Sequence, residues 1–191
     1  MKQLETHDPL QDIPLPEPGT MTLNEFLEND VEGYEYIKGE LVQMPDASIR
    51  HSEIGMNLIR YLDSYVRENK IGSVYSLELS FKIGERVLKP DLAFVSAERL
   101  NDDQDKNKGF PIPPDLAIEV VSPSDIQSRI LDKVRAYLDA GTRCVWVVEP
   151  TLKTVTVYKS ETDIKTLTRE DTLTGEDVVP GFSCPVELLF E

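Results

Sequence analysis

The stretch DLAIEVVSP, residues 115–123, decides the fold. Residues 116–121 are apolar except for Glu119, which is the pattern of a central strand buried on both faces of a sheet. An ionised glutamate in such a strand costs several kcal/mol of folding free energy unless a basic side chain or a cation compensates its charge. The residues alone leave both kinds of partner open for Glu119. Pro123 ends the strand.

A helix and a second buried strand follow along the chain. Ser124 or Asp125 is placed to cap the helix, and Gly141 stands where helices end in left-handed backbone. Apolar side chains recur at helical spacing at Ile130, Val134, Tyr137 and Leu138. Residues 143–149 are again apolar, so strand, helix and strand predict a βαβ unit with a right-handed crossover. Residues 154–158 alternate in polarity, which predicts an edge strand.

The sequence before residue 115 predicts two further helices and two antiparallel strand pairs. The predicted elements are a helix at 22–28, a hairpin at 34–44, a helix at 48–69, and strands at 73–83 and 87–95 that join at Gly84-Glu85. Asp46 or Ser48 can cap the longer helix. The predicted fold class is α/β: a sandwich in which helices flank a central mixed β-sheet, in the order helix-strand-strand-strand-helix-strand, with an N-terminal hairpin extension.

The composition sets limits on the class of protein. The chain has 191 residues, and its two cysteines, Cys144 and Cys184, are too few for a disulfide framework. They are expected to be free thiols in a reducing cytosol, and their spacing with the two histidines excludes the usual zinc motifs. Neither a signal peptide nor a membrane-spanning run is visible, so we expect a soluble cytoplasmic protein with no membrane partner.

The net charge of −15 argues against a nucleic-acid partner until its position along the chain is considered. Residues 1–50 carry a net charge of −8 and residues 151–191 a net charge of −4, whereas residues 51–150 hold 13 basic and 16 acidic side chains. The central part is therefore nearly neutral, so the charge does not exclude a nucleic-acid partner, and any binding of DNA is expected to be weak and salt-sensitive. Residues 1–20 hold four prolines and are expected to form an extended arm before a single domain at 21–191.

A second acidic residue, Asp91, opens a predicted strand directly after Pro90. If the two strands are neighbours, Asp91 and Glu119 meet at one end of the sheet. Two carboxylates suit a hard divalent cation such as Mg²⁺, which keeps several waters and accepts phosphate oxygens as ligands. The alternatives are an ion pair for Glu119 and a turn role for Asp91. Lys133 and Arg129 share one face of the following helix, so either side chain can lean toward the sheet.

The residues that carry chemistry form an ordered set. The set contains Gly39-Glu40, His51-Ser52, KPDLAFV at 89–95, DLAIEVVSPS at 115–124, Asp132-Lys133, Tyr137, Ala140-Gly141 and Trp146. It resembles the PD-(D/E)XK nuclease superfamily, which has the restriction-endonuclease-like fold. More closely, it is similar to the bacterial Uma-two family of predicted endonucleases, over about residues 30 to 160.

The resemblance implies an endonuclease that hydrolyses phosphodiester bonds of DNA with Mg²⁺ or Mn²⁺. It implies Asp91 and Glu119 as metal ligands, the carbonyl of Val120 as a third ligand, and Glu40 as a candidate ligand of metal or water. The superfamily lysine is expected two residues after the glutamate, where this chain has Val121, and Lys133 is the candidate that replaces it. The accessory candidates are His51, as a base or phosphate contact, and Arg129, as a phosphate contact.

The missing lysine also supports a rival interpretation. A chain that keeps this fold but has lost hydrolysis would be a binding or assembly module. A homodimer is expected for either function, because many nucleases of this fold pair two sites to cut two strands. The sequence encodes neither the base specificity nor the choice between DNA and RNA.

Overall fold

The computed structural model describes residues 21–76, 79–100, 105–123 and 125–191. The predicted N-terminal arm, residues 1–20, and one of the candidate caps, Ser124, lie outside the described residues. The elements are α1 (Leu23–Glu28), β1 (Tyr34–Ile37), β2 (Glu40–Gln43), α2 (Ile49–Asn69), β3 (Gly72–Ser76), β4 (Phe81–Ile83), β5 (Arg86–Leu88), β6 (Leu92–Ser96), β7 (Leu116–Val120), α3 (Gln127–Asp139), β8 (Cys144–Glu149), β9 (Thr154–Tyr158), β10 (Ile164–Leu167), β11 (Thr172–Thr174) and β12 (Ser183–Pro185).

The central sheet has six strands in the order β10-β9-β8-β7-β6-β3. Strands β7 and β8 are parallel, as the βαβ prediction requires, and the other neighbours are antiparallel. All five residues of β7 are buried. The predicted fold class, a mixed sheet flanked by helices, is confirmed.

The two long helices pack on opposite faces of this sheet. Successive side chains of a strand point to opposite faces, so Leu116 and Ile118 join the core under α2, whereas Ala117 joins the core under α3. The same alternation directs Glu119 toward α3. The site therefore forms between the carboxyl end of β7 and α3.

The predicted strands 73–83 and 87–95 are each divided between two sheets. Their outer parts, β3 and β6, pair in the central sheet, whereas β4 and β5 pair in a second sheet of order β2-β1-β5-β4. Pro90 lies between β5 and β6, where its lack of an N–H group interrupts the ladder of hydrogen bonds. The predicted hairpin forms the other half of the second sheet, with β1 paired to β5.

Two local predictions were wrong. Strand β9 is not an edge, because β10 pairs with its outer side. Asp125 does not cap α3, whose N-cap is Ile126 without a side-chain hydrogen bond. Instead, the Asp125 carboxylate accepts the N–H of Ser122 at 2.7 Å and stabilises the turn after β7.

The predicted helix ends are otherwise as expected. Ser48 caps α2 by accepting the N–H of His51 at 3.2 Å, and Gly141 follows α3 with a φ of 101°. Cys144 and Cys184 are buried free thiols. Within the described ranges, no helix is long and apolar enough to cross a membrane.

Candidate active site at the end of the central sheet

The antiparallel pairing of β6 with β7 brings Asp91 and Glu119 together. Leu92 lies opposite Ile118, so Asp91, one residue earlier, faces the position of Glu119. The Oδ2 atom of Asp91 accepts the N–H of Val120 at 2.6 Å. The predicted meeting of the two acidic segments at one end of the sheet is thus present in the structure.

Glu119 is 5% exposed, and both of its carboxylate oxygens have partners on α3. The Lys133 ammonium donates to Oε2 at 2.8 Å, and the Tyr137 hydroxyl donates to Oε1 at 2.8 Å. Lys133 and Tyr137 are four residues apart, so they lie on one face of the helix. The ion pair that the sequence left open as a partner for Glu119 therefore exists.

Glu35 of β1 is a member of this cluster that the sequence reasoning missed. It is 6% exposed, and its Oε1 atom lies 3.0 Å from Lys133 Nζ and accepts the N–H of Lys89 at 3.0 Å. The only sequence signal was a charged residue between Tyr34 and Tyr36 in a four-residue strand. That pattern does not tell which face of the hairpin is covered by the rest of the protein.

His51 reaches the cluster from the first turn of α2. Its Nε2 atom lies 3.1 Å from Oδ1 of Asp91, and both side chains are mostly buried. The hydrogen bond to Asp91 raises the pKa of His51, and burial opposes this shift. The structure thus brings together five of the predicted site residues: Asp91, Glu119, Val120, Lys133 and His51.

Glu40 and Arg129 are not brought into the cluster. Glu40 is exposed at the start of β2, which is the outermost strand of the second sheet. Arg129 is exposed in the first turn of α3. Among the described residues, neither side chain has a hydrogen bond or ion pair to the acidic cluster. In the cluster Glu35, not Glu40, is the acidic residue from the N-terminal hairpin.

The comparisons with known proteins concern the family and the fold of the chain. Residues 21–187 match the model of the Uma2 family, whose description is "putative restriction endonuclease". The chain belongs to the Uma2 family. The structure is similar to the crystal structure of a putative nuclease belonging to DUF820 from Anabaena variabilis, with a TM-score of 0.77 and 26% identity over 89% of this chain and 97% of that chain. Among curated proteins, none matches the sequence.

Burial and neighbouring charges shift the pKa values of Glu119, Lys133 and Tyr137 in this Uma2 protein. Burial raises the pKa of Glu119 to about 7, the charges of Asp91 and Glu35 add to the shift, and Lys133 opposes it. Burial lowers the pKa of Lys133, but the charges of Glu119 and Glu35 outweigh burial, so the pKa is raised. Burial also raises the pKa of Tyr137 well above its usual value. Lys133 is therefore an ammonium at neutral pH, and Tyr137 is a neutral hydrogen-bond donor.

The donors of the Uma2 site suit a hard divalent cation. The described residues contain no group of three or more His, Cys, Asp or Glu side chains arranged to hold a metal ion. Mg²⁺ does not need such a group, because it is commonly held by one or two carboxylates together with waters and substrate phosphates. The carboxyl groups of Asp91, Glu119 and Glu35 all lie around the Lys133 ammonium or beside one another, and they supply the oxygen donors that Mg²⁺ prefers.

Proposed function

We propose that this Uma2 chain is a divalent-metal-dependent endonuclease that hydrolyses phosphodiester bonds of DNA. The main support is that Asp91 and Glu119 lie at the ends of adjacent strands beside the Lys133 ammonium. Two carboxylates with a nearby ammonium are a chemistry suited to phosphate ester hydrolysis. Membership of the Uma2 family and the similarity to a putative nuclease support the same reaction class.

The proposed ligands of Mg²⁺ or Mn²⁺ are Asp91, Glu119 and the main-chain carbonyl of Val120. When bound, such a cation polarises the scissile phosphate and lowers the pKa of a water. The protein's own contribution is to hold the donors in place. The hydrogen bond from Val120 N–H fixes Oδ2 of Asp91, and Tyr137 fixes Oε1 of Glu119.

In this proposal Lys133 replaces the superfamily lysine, because Val121 occupies the usual position of that lysine in this chain. Because its pKa is raised, Lys133 keeps its proton at neutral pH and does not act as a base in this arrangement. We propose that it donates a hydrogen bond to the attacking water or to a phosphate oxygen. Its charge offsets the negative charge that develops on the phosphorus group.

His51 and Arg129 have proposed roles outside the ligand set. His51 orients the Asp91 carboxylate through Oδ1, and a protonated imidazole there can also contact a phosphate. The exposed guanidinium of Arg129 is proposed to contact the DNA backbone near the site. A homodimer stays a prediction, which light scattering tests directly.

One observation favours the rival function, a binding or assembly module without hydrolysis. Each carboxylate oxygen of Asp91 and Glu119 already has a partner within the protein: His51, Val120 N–H, Tyr137 and Lys133. The same complete pairing of carboxylate oxygens is expected of an ion-pair cluster that only supports the fold and binds no metal. Titration of the protein with Mn²⁺ in a calorimeter separates the two functions, because a degenerate site is expected not to bind the ion.

The decisive experiment compares cleavage of supercoiled plasmid DNA by the wild-type protein, Asp91→Asn and Asp139→Asn. Asp139 is an exposed residue at the end of α3 and serves as the charge-matched control. We expect cleavage with Mg²⁺ or Mn²⁺, none with a chelator, and loss of cleavage only in Asp91→Asn. Equal cleavage by Asp91→Asn would identify a contaminating nuclease and refute the proposal, as would the absence of cleavage of any DNA by the wild type.

A further inference from the structure

Glu35 is a buried carboxylate to which the proposed hydrolysis assigns no role. It lies in the second sheet, whereas Asp91 and Glu119 belong to the end of the central sheet. We propose that Glu35 is a positioning residue, which holds the ammonium of Lys133 beside Glu119. Its consequence for cleavage rests on the proposed endonuclease function, but its contact with Lys133 does not.

The geometry of Glu35 makes it a fixed anchor. Its Oε1 atom lies 3.0 Å from Lys133 Nζ and also accepts the main-chain N–H of Lys89 at 3.0 Å. Lys89 is two residues before Asp91, so this one oxygen connects the ammonium to the backbone that leads into the acidic pair. A main-chain donor cannot change rotamer, so this hydrogen bond holds the Glu35 carboxylate in one orientation.

The side chain of Lys89 does not compensate Glu35. Its ammonium is fully buried elsewhere, where it donates to Oδ2 of Asp30 and to the carbonyl of Val31, each at 2.9 Å. In the part of the chain that the structure describes, Lys133 is the cation within ion-pair distance of Glu35. The negative charge of the buried Glu35 is therefore compensated by Lys133.

Lys133 needs a second anchor because its first partner, Glu119, is also a proposed metal ligand. If Oε2 of Glu119 binds a cation, this oxygen no longer holds the Lys133 ammonium as firmly, and a second acceptor is needed to keep the ammonium in place. Glu35 lies on a different sheet and keeps its contact with Lys133 in either case. The expected effect of removing its charge is therefore on catalytic turnover, not on substrate binding.

The activity test uses Glu35→Gln, Glu35→Asp and the control Glu32→Gln, which changes an exposed glutamate three residues earlier. Glutamine keeps an acceptor for the Lys89 N–H but removes the charge. We expect kcat of Glu35→Gln to fall about 10–100-fold, the usual cost of changing a residue that supports a site, with KM within about twofold. Aspartate is expected to recover part of kcat because it restores the charge. A rise in KM with unchanged kcat would overturn the proposal.

Metal affinity distinguishes a positioning residue from a ligand. In calorimetry with Mn²⁺ and no DNA, Glu35→Gln is expected to bind the ion with less than about tenfold loss of affinity, whereas Asp91→Asn loses binding. Loss of binding as complete as in Asp91→Asn would show that Glu35 is a ligand and overturn the proposal.

A stability cycle tests the contact without activity or metal. We expect Glu35→Gln to lower the urea midpoint of the wild-type protein but to raise that of Lys133→Met, where Glu35 is a buried charge without its partner. A change of the same sign and size in both backgrounds would overturn the proposal. If the wild type cleaves no DNA, the proposed endonuclease function fails, while this cycle still decides the contact of Glu35 with Lys133.

Discussion

Replacing Lys133 with methionine removes a cation whose side chain is only 15% exposed and leaves two buried carboxylates. The lost contacts are those of Nζ with Glu119 at 2.8 Å and with Glu35 at 3.0 Å, and the two acidic side chains are only 7% and 8% exposed. Removing one partner of a buried ion pair costs about 3–5 kcal/mol. For a chain of this length, that corresponds to a fall in Tm of roughly 6–20 °C.

The cost is expected to depend on pH. The folded-state pKa of Glu119 is raised to about 7, above its ordinary value of 4.5, and loss of the Lys133 charge raises it further. The carboxyl group of Glu119 is then neutral at pH 5, so the penalty for an unpaired buried charge shrinks as the pH falls from 7.5 to 5. The wild-type protein undergoes the same protonation of Glu119 with a smaller shift of its pKa, so it gains less stability than the variant over this range.

Urea unfolding at pH 7.5 and pH 5.0 measures this effect, with fluorescence of the single buried Trp146 as the signal. Lys106→Met, which changes an exposed lysine, is the control and should unfold like the wild type at both pH values. Adding Glu119→Gln to Lys133→Met is expected to recover part of the loss at pH 7.5. A loss of stability equal at the two pH values, or below about 1 kcal/mol at pH 7.5, would refute the buried-pair reasoning.

Three further substitutions test other parts of the structure. Gly72→Ala is expected to destabilise the fold by about 1–3 kcal/mol in urea unfolding, because the added Cβ would collide with the carbonyl oxygen of Val95 on β6; an unchanged midpoint would contradict this packing. Lys89→Met is expected to cost about 1–3 kcal/mol and to speed proteolysis near α1, since Asp30 loses a buried partner. Glu40→Gln is expected to cleave DNA with the kcat of the wild type, whereas the kcat of Glu35→Gln is expected to be about 10–100-fold lower; the reverse order would support Glu40 as the residue of the site.

The sequence predicted those parts of the site that depend on local pattern. The apolar run around Glu119 identified a central strand, and Pro90 marked the entry of Asp91 into the next one, so their meeting was predictable. The helical face left Lys133 and Arg129 both open, and the family resemblance pointed to Lys133. The hydrogen bond from Tyr137 to Glu119 was not predicted, because the spacing indicated only a core position for Tyr137. The family and the mixed α/β fold were confirmed by the comparisons and the structure.

The parts that were missed depend on how the two sheets meet. The strand patterns at 73–83 and 87–95 are continuous in the sequence, but the chain leaves the central sheet between β3 and β4 and returns to it at Pro90. This bend places the hairpin next to α3 and buries Glu35 instead of Glu40. A period-two pattern specifies which residues share a face, but not which face another element will cover.

The division of these strands has a consequence for cooperativity. The chain passes between the two sheets twice, from β3 to β4 and from β5 to β6, and Glu35 contacts the second passage through the N–H of Lys89. The hairpin is thus attached to the segment that carries Asp91, and its local opening would withdraw one of the two carboxylates that hold Lys133. We expect the amide hydrogens of β1 and β6 to exchange with solvent as one unit. The free energy of opening the hairpin would then also be the free energy of opening the site.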